Sequence, residues 1–496
     1  MVLYTCAALY EYFEYITPLL MFQIIPAHKD HLFPSCTQYI HFLFSERRAL
    51  ILLHPGKRRF SLNIFQMIVL GFAGVIATGT LLLMMPISSA DGVSTPFIDA
   101  LFTSTTSVCV TGLVVRDTGS YWSAFGHSVI LVLIQIGGLG VVTLVASFSM
   151  LAGRRISLFQ RGAMQDAVAA PKIGGIVRLT GFLLKFTFII EFIGAALMAP
   201  VFIRDFGLGR GIFMAFFHSI SAFCNAGIDL MGIRQPYSSM TGYIDNPVIN
   251  LVLMALIVVG GLGFLTWDDI RSFGFRFRKY RMQSKVILVV SGLLILIPAI
   301  GFFFFAFSDL PKGSRIWASV FQSVTARTAG INTADLAAMG EPSLMAMITL
   351  MLIGGSPGST AGGMKTTTFA VLIACAVSVF RKRDSAQLFG RRIAQEVIST
   401  AATLAVMYIG LSVGSAMFIS LYEGLPLLTC LFETASATAT VGLTLGITPT
   451  LSIVSKCILI VLMYIGRVGG LTLIYATVSG NRVQLGKLPL DRITVG

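Results

Sequence analysis

The sequence predicts an all-α membrane protein of four pseudo-symmetric helix–pore loop–helix repeats arranged about one central axis. Three observations carry that expectation. Hydrophobic residues make up 55% of the 496 residues and charged residues only 12%, about half the charge of an ordinary soluble domain, and the mean hydropathy is +0.84. Several uncharged apolar runs reach membrane-spanning length. A short motif rich in small hydroxylated residues and ending in Gly recurs four times, and such repetition sets the frame for every local reading.

The fourth copy is the clearest, running from Phe432-Glu433-Thr434 to Thr440-Val441-Gly442-Leu443. The second runs from Phe217-His218-Ser219 to Asn225-Ala226-Gly227-Ile228. The first joins Phe102-Thr103-Ser104 to Val110-Thr111-Gly112-Leu113, and the third joins Phe321-Gln322-Ser323 to Thr328-Ala329-Gly330-Ile331. Phe and Gly stand 10 residues apart in three copies and 9 in the third. Successive glycines are 115, 103 and 112 residues apart.

In order, residues 1–60 form an N-terminal cytoplasmic extension outside the repeat, poorly ordered or amphipathic. Its His28 and His31 alone make a weak metal signature. Repeat 1 (61–153) begins with Ile64–Met85, 22 residues without a charge, about 33 Å as a helix and enough to span. Residues 96–107 are too short to span and read as a re-entrant half-helix; 125–151 is the next span. The pattern recurs in repeat 2 (154–270) as 179–203, 211–222 and 247–267. Repeat 4 (393–496, with the C-terminal tail) holds 397–421, 425–437 and 457–478. Repeat 3 (271–392) departs: after 286–307 and 315–325, the stretch 343–380 is 38 residues long, nearly twice a bilayer core. Its centre, Gly354-Gly355-Ser356-Pro357-Gly358-Ser359-Thr360-Ala361-Gly362-Gly363-Met364-Lys365, cannot hold a regular helix. Broken backbone at membrane depth is tolerated where it is buried in protein or lines water, so this segment is the candidate gate.

The net charge of +14 is placed by the membrane, not by nucleic acid. Of the 36 Lys and Arg, 24 fall in five segments: 47–59, 152–178, 268–285, 381–392 and 480–496. The regions holding the glycine motifs carry few. This positive-inside asymmetry puts both termini in the cytoplasm and has all four loops enter from outside. The seven Cys show no metal or disulfide spacing. Cys109 and Cys224, beside the loops, read as packing residues.

Glycine permits an extended loop whose carbonyls turn toward an axis, and carbonyl oxygens there can replace the hydration shell of a cation. Four such loops make a central cation pore, with the half-helices aiming their negative C-terminal ends at it. The candidate filter is Val110, Thr111 and Gly112; Asn225, Ala226 and Gly227; Thr328, Ala329 and Gly330; and Thr440, Val441 and Gly442, with potassium as the ion bound there. The glycines at 137, 138, 140, 260, 261, 263, 469 and 470 fall inside apolar spans and read as helix-packing residues. Arg467 lies mid-span. It is either a barrier to cations or a partner of carboxylates or half-helix carbonyls, and the two roles can coexist. Lys365 either anchors the candidate gate to carbonyls or snorkels to the cytoplasmic edge. Thr103, His218, Gln322 and Glu433 share one repeat position and read as anchors of the half-helices, with cation attraction the second reading. An intramembrane enzyme needs a nucleophile–base pair or metal cluster. Within the repeats only His127 and His218 are present, without partners by spacing, so the chain is read as non-enzymatic and free of cofactors.

The fourfold plan, one Gly per loop, the glycine-rich break at Gly354, Gly355, Gly358, Gly362 and Gly363, and the Arg467 helix resemble the Trk/Ktr/HKT superfamily of cation transporters, over about 60–496. Within it the chain is similar to bacterial KtrB-type subunits. The resemblance implies potassium uptake across the bacterial plasma membrane by a homodimer, each protomer with its own pore. It also implies filter glycines at 112, 227, 330 and 442, a Gly in the first loop as the potassium-preferring pattern, a gating loop at 354–363 and a pore-obstructing Arg467. A separate cytosolic nucleotide-binding ring of RCK domains would dock on the basic loops, with sodium a candidate activator. The alternative is a sodium- or proton-coupled symporter with alternating access, which calls for inverted repeats; here all four repeats run the same way.

Overall fold

A computed structural model of the chain describes residues 63–140 and 175–470, with positions 143, 162, 164, 165 and 472. The extension 1–60, most of the basic segment 141–174 and the tail after 472 lie outside the described residues.

Helix follows helix in the expected order. The first group is α1 (Ile64–Met84), α2 (Phe97–Val108) and α3 (Ala124–Leu139). Next come α4 (Ile176–Phe206), α5 (Leu208–Phe223), α6 (Pro247–Gly261) and α7 (Phe264–Phe273). The third group holds α8 (Met282–Phe305), α9 (Lys312–Thr325), α10 (Glu341–Ile353) and α11 (Thr366–Phe380). A small antiparallel hairpin, β1 (Gln387–Leu388) with β2 (Arg391–Arg392), leads to α12 (Gln395–Glu423), α13 (Leu427–Thr438) and α14 (Ile453–Val468). Local chemistry sets the starts. Asn63 and Gln66 form a capping box on α1, and Asn246 accepts from Val248 and Ile249 ahead of Pro247 on α6.

By length and apolarity α1, α4, α8 and α12 can each cross a membrane, and α6 with α7 is a fifth span if the bent pair counts as one. The other members of the expected eight are shorter. The continuous spans 125–151, 247–267 and 457–478 are corrected by the structure. Helix α3 stops at Gly140, α6 and α7 part at Gly263 with a bend of 96°, and α14 stops at Gly469. These glycines hold φ of 83°, 85° and 89°, the left-handed region that side chains disfavour. They are therefore breaks, not packing residues, while Gly137, Gly138 and Gly260 do pack: a β-carbon on them would collide with Val108 O, Cys224 Sγ and Phe223 O. Hydropathy runs unchanged across such a break, so the sequence hid it. The break in the third group, between α10 and α11, falls where it was expected.

Each short helix is held by its predecessor and by the group before it. Its Phe (Phe102, Phe217, Phe321, Phe432) is fully buried, and in a bilayer such burial holds the helix by close packing, since lipid is as apolar as the side chain. Two residues on, a hydroxyl donates to the preceding long helix: Ser104 to Ile76 O at 2.7 Å, Ser219 to Glu191 O at 2.6 Å, Ser323 to Ile295 O at 2.6 Å and Thr434 to Ser412 O at 2.9 Å. Gly79 and Gly194 make room for the first two. Finally, α3 packs on α5, α6 on α9, α10 on α13, and α14 returns to α2. The packing is a closed cycle.

Ser219→Ala is expected to remove the second hydrogen bond on the Glu191 carbonyl, which keeps its bond within α4, and to cost about 1 kcal/mol. A lowered melting temperature of the purified chain checks this, and an unchanged one would make the bond idle.

Candidate functional site

After each short helix the backbone turns twice into the left-handed region. The first turn is at a side-chain-bearing residue: Val110 at φ 56°, Asn225 at 57°, Thr328 at 73° and Thr440 at 52°. The second, two residues later, is at Gly112 (100°), Gly227 (67°), Gly330 (81°) and Gly442 (91°). Four non-glycine residues at one repeat position share a conformation that costs on the order of 1–3 kcal/mol each and survives only where the surroundings impose it. Hydrogen bonds impose it here. Thr111 N donates to Thr106 O at 2.8 Å, Ala226 N to Ser221 O at 2.7 Å, Ala329 N to Thr325 O at 2.9 Å and Val441 N to Ser436 O at 2.8 Å. The hydroxyls add a second tie. Those of Thr106 and Ser436 accept from Gly112 N and Gly442 N at 2.9 Å each, whereas Ser221 and Thr325 donate to Ile228 O and Ile331 O at 2.6 and 2.5 Å.

The four glycines meet. A β-carbon on Gly112 would lie 2.6 Å from Ala226 O, and one on Gly227 would lie 2.8 Å from Ala329 O. On Gly330 it would strike Val441 O, and on Gly442 it would strike Thr111 O. Each glycine thus faces the carbonyl just ahead of the next, and the fourth faces the first. The loops close a ring too tight for any side chain. Around it Thr111 Oγ1, Asn225 Oδ1, Thr328 Oγ1 and Thr440 Oγ1 are buried without a hydrogen-bond partner among the described residues.

Against this ring lies the segment 354–365. It is laced to the α6–α7 break by Ser356 N to Gly261 O (3.1 Å), Thr360 N to Gly260 O (3.3 Å) and Phe264 N to Gly358 O (2.8 Å). The Thr360 hydroxyl donates to Phe223 O at 3.1 Å and accepts from Asn225 Nδ2 at 3.2 Å, so the segment touches the second loop directly. Gly362 and Gly363 face Thr440 and Ala439 of the fourth, too close for a β-carbon. Gly354, Gly358 and Gly363 take left-handed φ of 63°, 64° and 63°; the Gly355 carbonyl closes the segment by accepting from Thr366 N at 2.8 Å. Lys365 Nζ donates to Ala361 O at 2.7 Å and Gly362 O at 3.1 Å, the carbonyl-anchored reading. Arg467 donates to Thr360 O on the segment and to Gly137 O and Gly138 O at the end of α3. Of its two readings, pairing with carbonyls is what the geometry shows. A cavity of about 420 Å³ opens beside it, bordered by Phe72, Gly140, Pro357, Lys365 and Gly469.

The expected anchors divide. His218 Nε2 accepts from Leu230 N at 3.1 Å. Glu433 accepts from Leu445 N at 3.2 Å, from Thr448 Oγ1 at 2.9 Å and from Thr444 Oγ1. Both therefore hold the chain three residues beyond their glycine. Among the described residues the Thr103 hydroxyl bonds within α2, to Asp99 O, and the buried Gln322 side chain finds no partner. Cys109 and Cys224 are buried free thiols capping α2 and α5. Sequence reading missed the hydroxyl ties, Thr360 and the glycine breaks. The repeated position of Ser104, Ser219, Ser323 and Thr434 was the available signal.

Long apolar helices packed in a closed cycle around buried backbone loops define a multi-pass membrane protein of the transport class. The chain belongs to the TrkH family of cation transport proteins, whose model matches residues 37–484. It is 40% identical over 445 residues to the potassium/sodium uptake protein NtpJ of Enterococcus hirae, covering 87% of this chain and 97% of that one. It is 37% identical over 417 residues to the Ktr system potassium uptake protein B of Bacillus subtilis, covering 83% and 92%. The fold is shared with the crystal structure of the potassium transporter TrkH from Vibrio parahaemolyticus, at a TM-score of 0.68 and 20% identity over 90% of this chain and 91% of that one.

Proposed function

We propose that this chain takes up potassium across the plasma membrane through a filter made by the four glycine loops. The repeats 61–153, 154–270, 271–392 and 393–496 surround one pore, both termini are cytoplasmic, and the loops enter from outside. The single observation that carries the reading is the closed ring of Gly112, Gly227, Gly330 and Gly442, with buried oxygens about it that find no partner among the described residues. A buried polar atom without a partner costs about 1–3 kcal/mol, and a partly dehydrated cation would satisfy several at once. The names of the relatives favour potassium as that ion.

The segment 354–365 is the gate in this reading, with Lys365 and Arg467 as its fastenings. A homodimer, a separate RCK-type cytosolic ring and sodium as activator complete the proposal. The testing experiment is growth of a potassium-uptake-deficient bacterium on low potassium, with and without a co-expressed RCK partner. Growth restored by this chain supports uptake; no growth with an inserted, stable chain overturns it.

Asp229, two residues beyond Gly227, adds a pH dependence. Burial pushes its carboxyl up to about 6, opposed by the Met231 N–H and reinforced by the nearby Asp117 charge. Above that value it is charged and attracts cations; below it the charge is lost. Apparent potassium affinity is therefore expected to fall as external pH drops through about 6, and Asp229→Asn should abolish that step. An identical pH profile in the variant would assign the step to another group.

A further inference from the structure

An apolar trough runs along the outside of the bundle between α8 and α11. Leu293, Ile297 and Pro298 form one wall, and Ile373 and Val377 the other. Its floor is Ala370, Ala374 and Ser378, small residues one helical turn apart and buried. From Phe369 to Ser378 it is roughly 14 Å long at the helical rise, and it encloses about 460 Å³. At one end the apolar lining gives way to Arg383 and Gln387.

That end is shaped by the chain turn after α11. Lys382 takes a left-handed φ of 50°, and Arg383 N bonds back to Ser378 O at 2.8 Å, which folds Arg383 over the mouth of the trough. Among the described residues Arg383 pairs with no carboxylate. Arg381, Lys382, Arg391 and Arg392 stand exposed around it, with Asp384 as the one acid from 381 to 392. A second copy brought face to face here would set this basic end against another. An amphiphile with an anionic head fits both parts at once.

We infer that the trough is a binding site for one anionic phospholipid, its acyl chain between α8 and α11 and its phosphate on Arg383. Basic pockets between helices at the cytoplasmic boundary are suited to such heads, and a chain filling the trough replaces lipid that would otherwise pack poorly against the small floor residues. Helix α11 starts at Thr366, directly after the 354–365 segment. A lipid wedged against it therefore steadies the end of that segment. This regulatory half rests on the gate reading above; the binding half does not.

The test uses the full chain purified in mild detergent, with retained phospholipid counted by native mass spectrometry. It is then reconstituted in phosphatidylcholine vesicles with and without phosphatidylglycerol for rubidium flux. Phosphatidylglycerol is expected to be retained in preference to phosphatidylcholine. Arg383→Gln should erase the preference, and Ala374→Trp, which fills the floor, should cut retention of either lipid about ten-fold, a loss of roughly 1.4 kcal/mol. Retention unchanged in Arg383→Gln, or no preference in the unsubstituted chain, overturns the site. So does efficient disulfide cross-linking of two Ile297→Cys copies, which would show a second chain covering the trough. If retention falls and flux does not, the regulatory half is overturned; failure of the gate reading itself is read separately from Arg467→Ala.

Discussion

Gly330→Ser is expected to lower the preference for potassium over sodium by about ten-fold or more, equivalent to at least roughly 1.4 kcal/mol of lost discrimination. The reason is geometric. Gly330 holds φ 81°, and a β-carbon there would strike Val441 O and lie 3.0 Å from the Gly227 α-carbon. The loop must move, and two adjoining loops must move with it, because the ring is closed. Gly227→Ser acts on the same seam from the other side, with its β-carbon 2.8 Å from Ala329 O. Competitive rubidium and sodium uptake in proteoliposomes measures the ratio. Unchanged ion ratios in both variants would remove these loops from the filter.

Arg467→Ala is expected to raise flux on the order of ten-fold, again about 1.4 kcal/mol. In the unsubstituted chain the guanidinium ties Thr360 O to Gly137 O and Gly138 O, so it fastens the 354–365 segment and places a cation beside the 420 Å³ cavity. On the proposed gate reading, removing it releases the segment and lifts the repulsion on an ion in transit. Arg467→Lys should fall between, since a Lys ammonium cannot serve three carbonyls on two elements with a planar fork. Deleting 355–362 should leave transport constitutive and insensitive to a cytosolic partner. A dead or unaffected Arg467→Ala pore would leave the Arg with a structural role alone.

Much of this architecture was legible because its signals are local. The long helices announce themselves by uncharged length, and the short ones by a Phe, a polar residue and a hydroxylated run. The interruption after Ile353 was visible because Pro357 and clustered glycines cannot propagate a helix. The breaks at Gly140, Gly263 and Gly469 were not. One glycine within an apolar run reads the same whether it packs against Val108, as Gly137 does, or turns the backbone. Only the neighbours decide which. The anchor position shows the same limit: Glu433 and His218 reach the descending chain, while Thr103 is too short and turns back on its own helix.

By itself the sequence determined an apolar helical chain with one glycine motif repeated four times, and the positions of those four glycines and of two cations within apolar stretches. Composition and periodicity suffice for that, because lipid admits so few backbone solutions. The tertiary structure decided that the four glycines share one ring, that Thr360 and Asn225 join segment to loop, and which carbonyls Arg467 holds. Those contacts link residues more than a hundred positions apart, and no local pattern encodes them: they exist only once the helix groups have packed together.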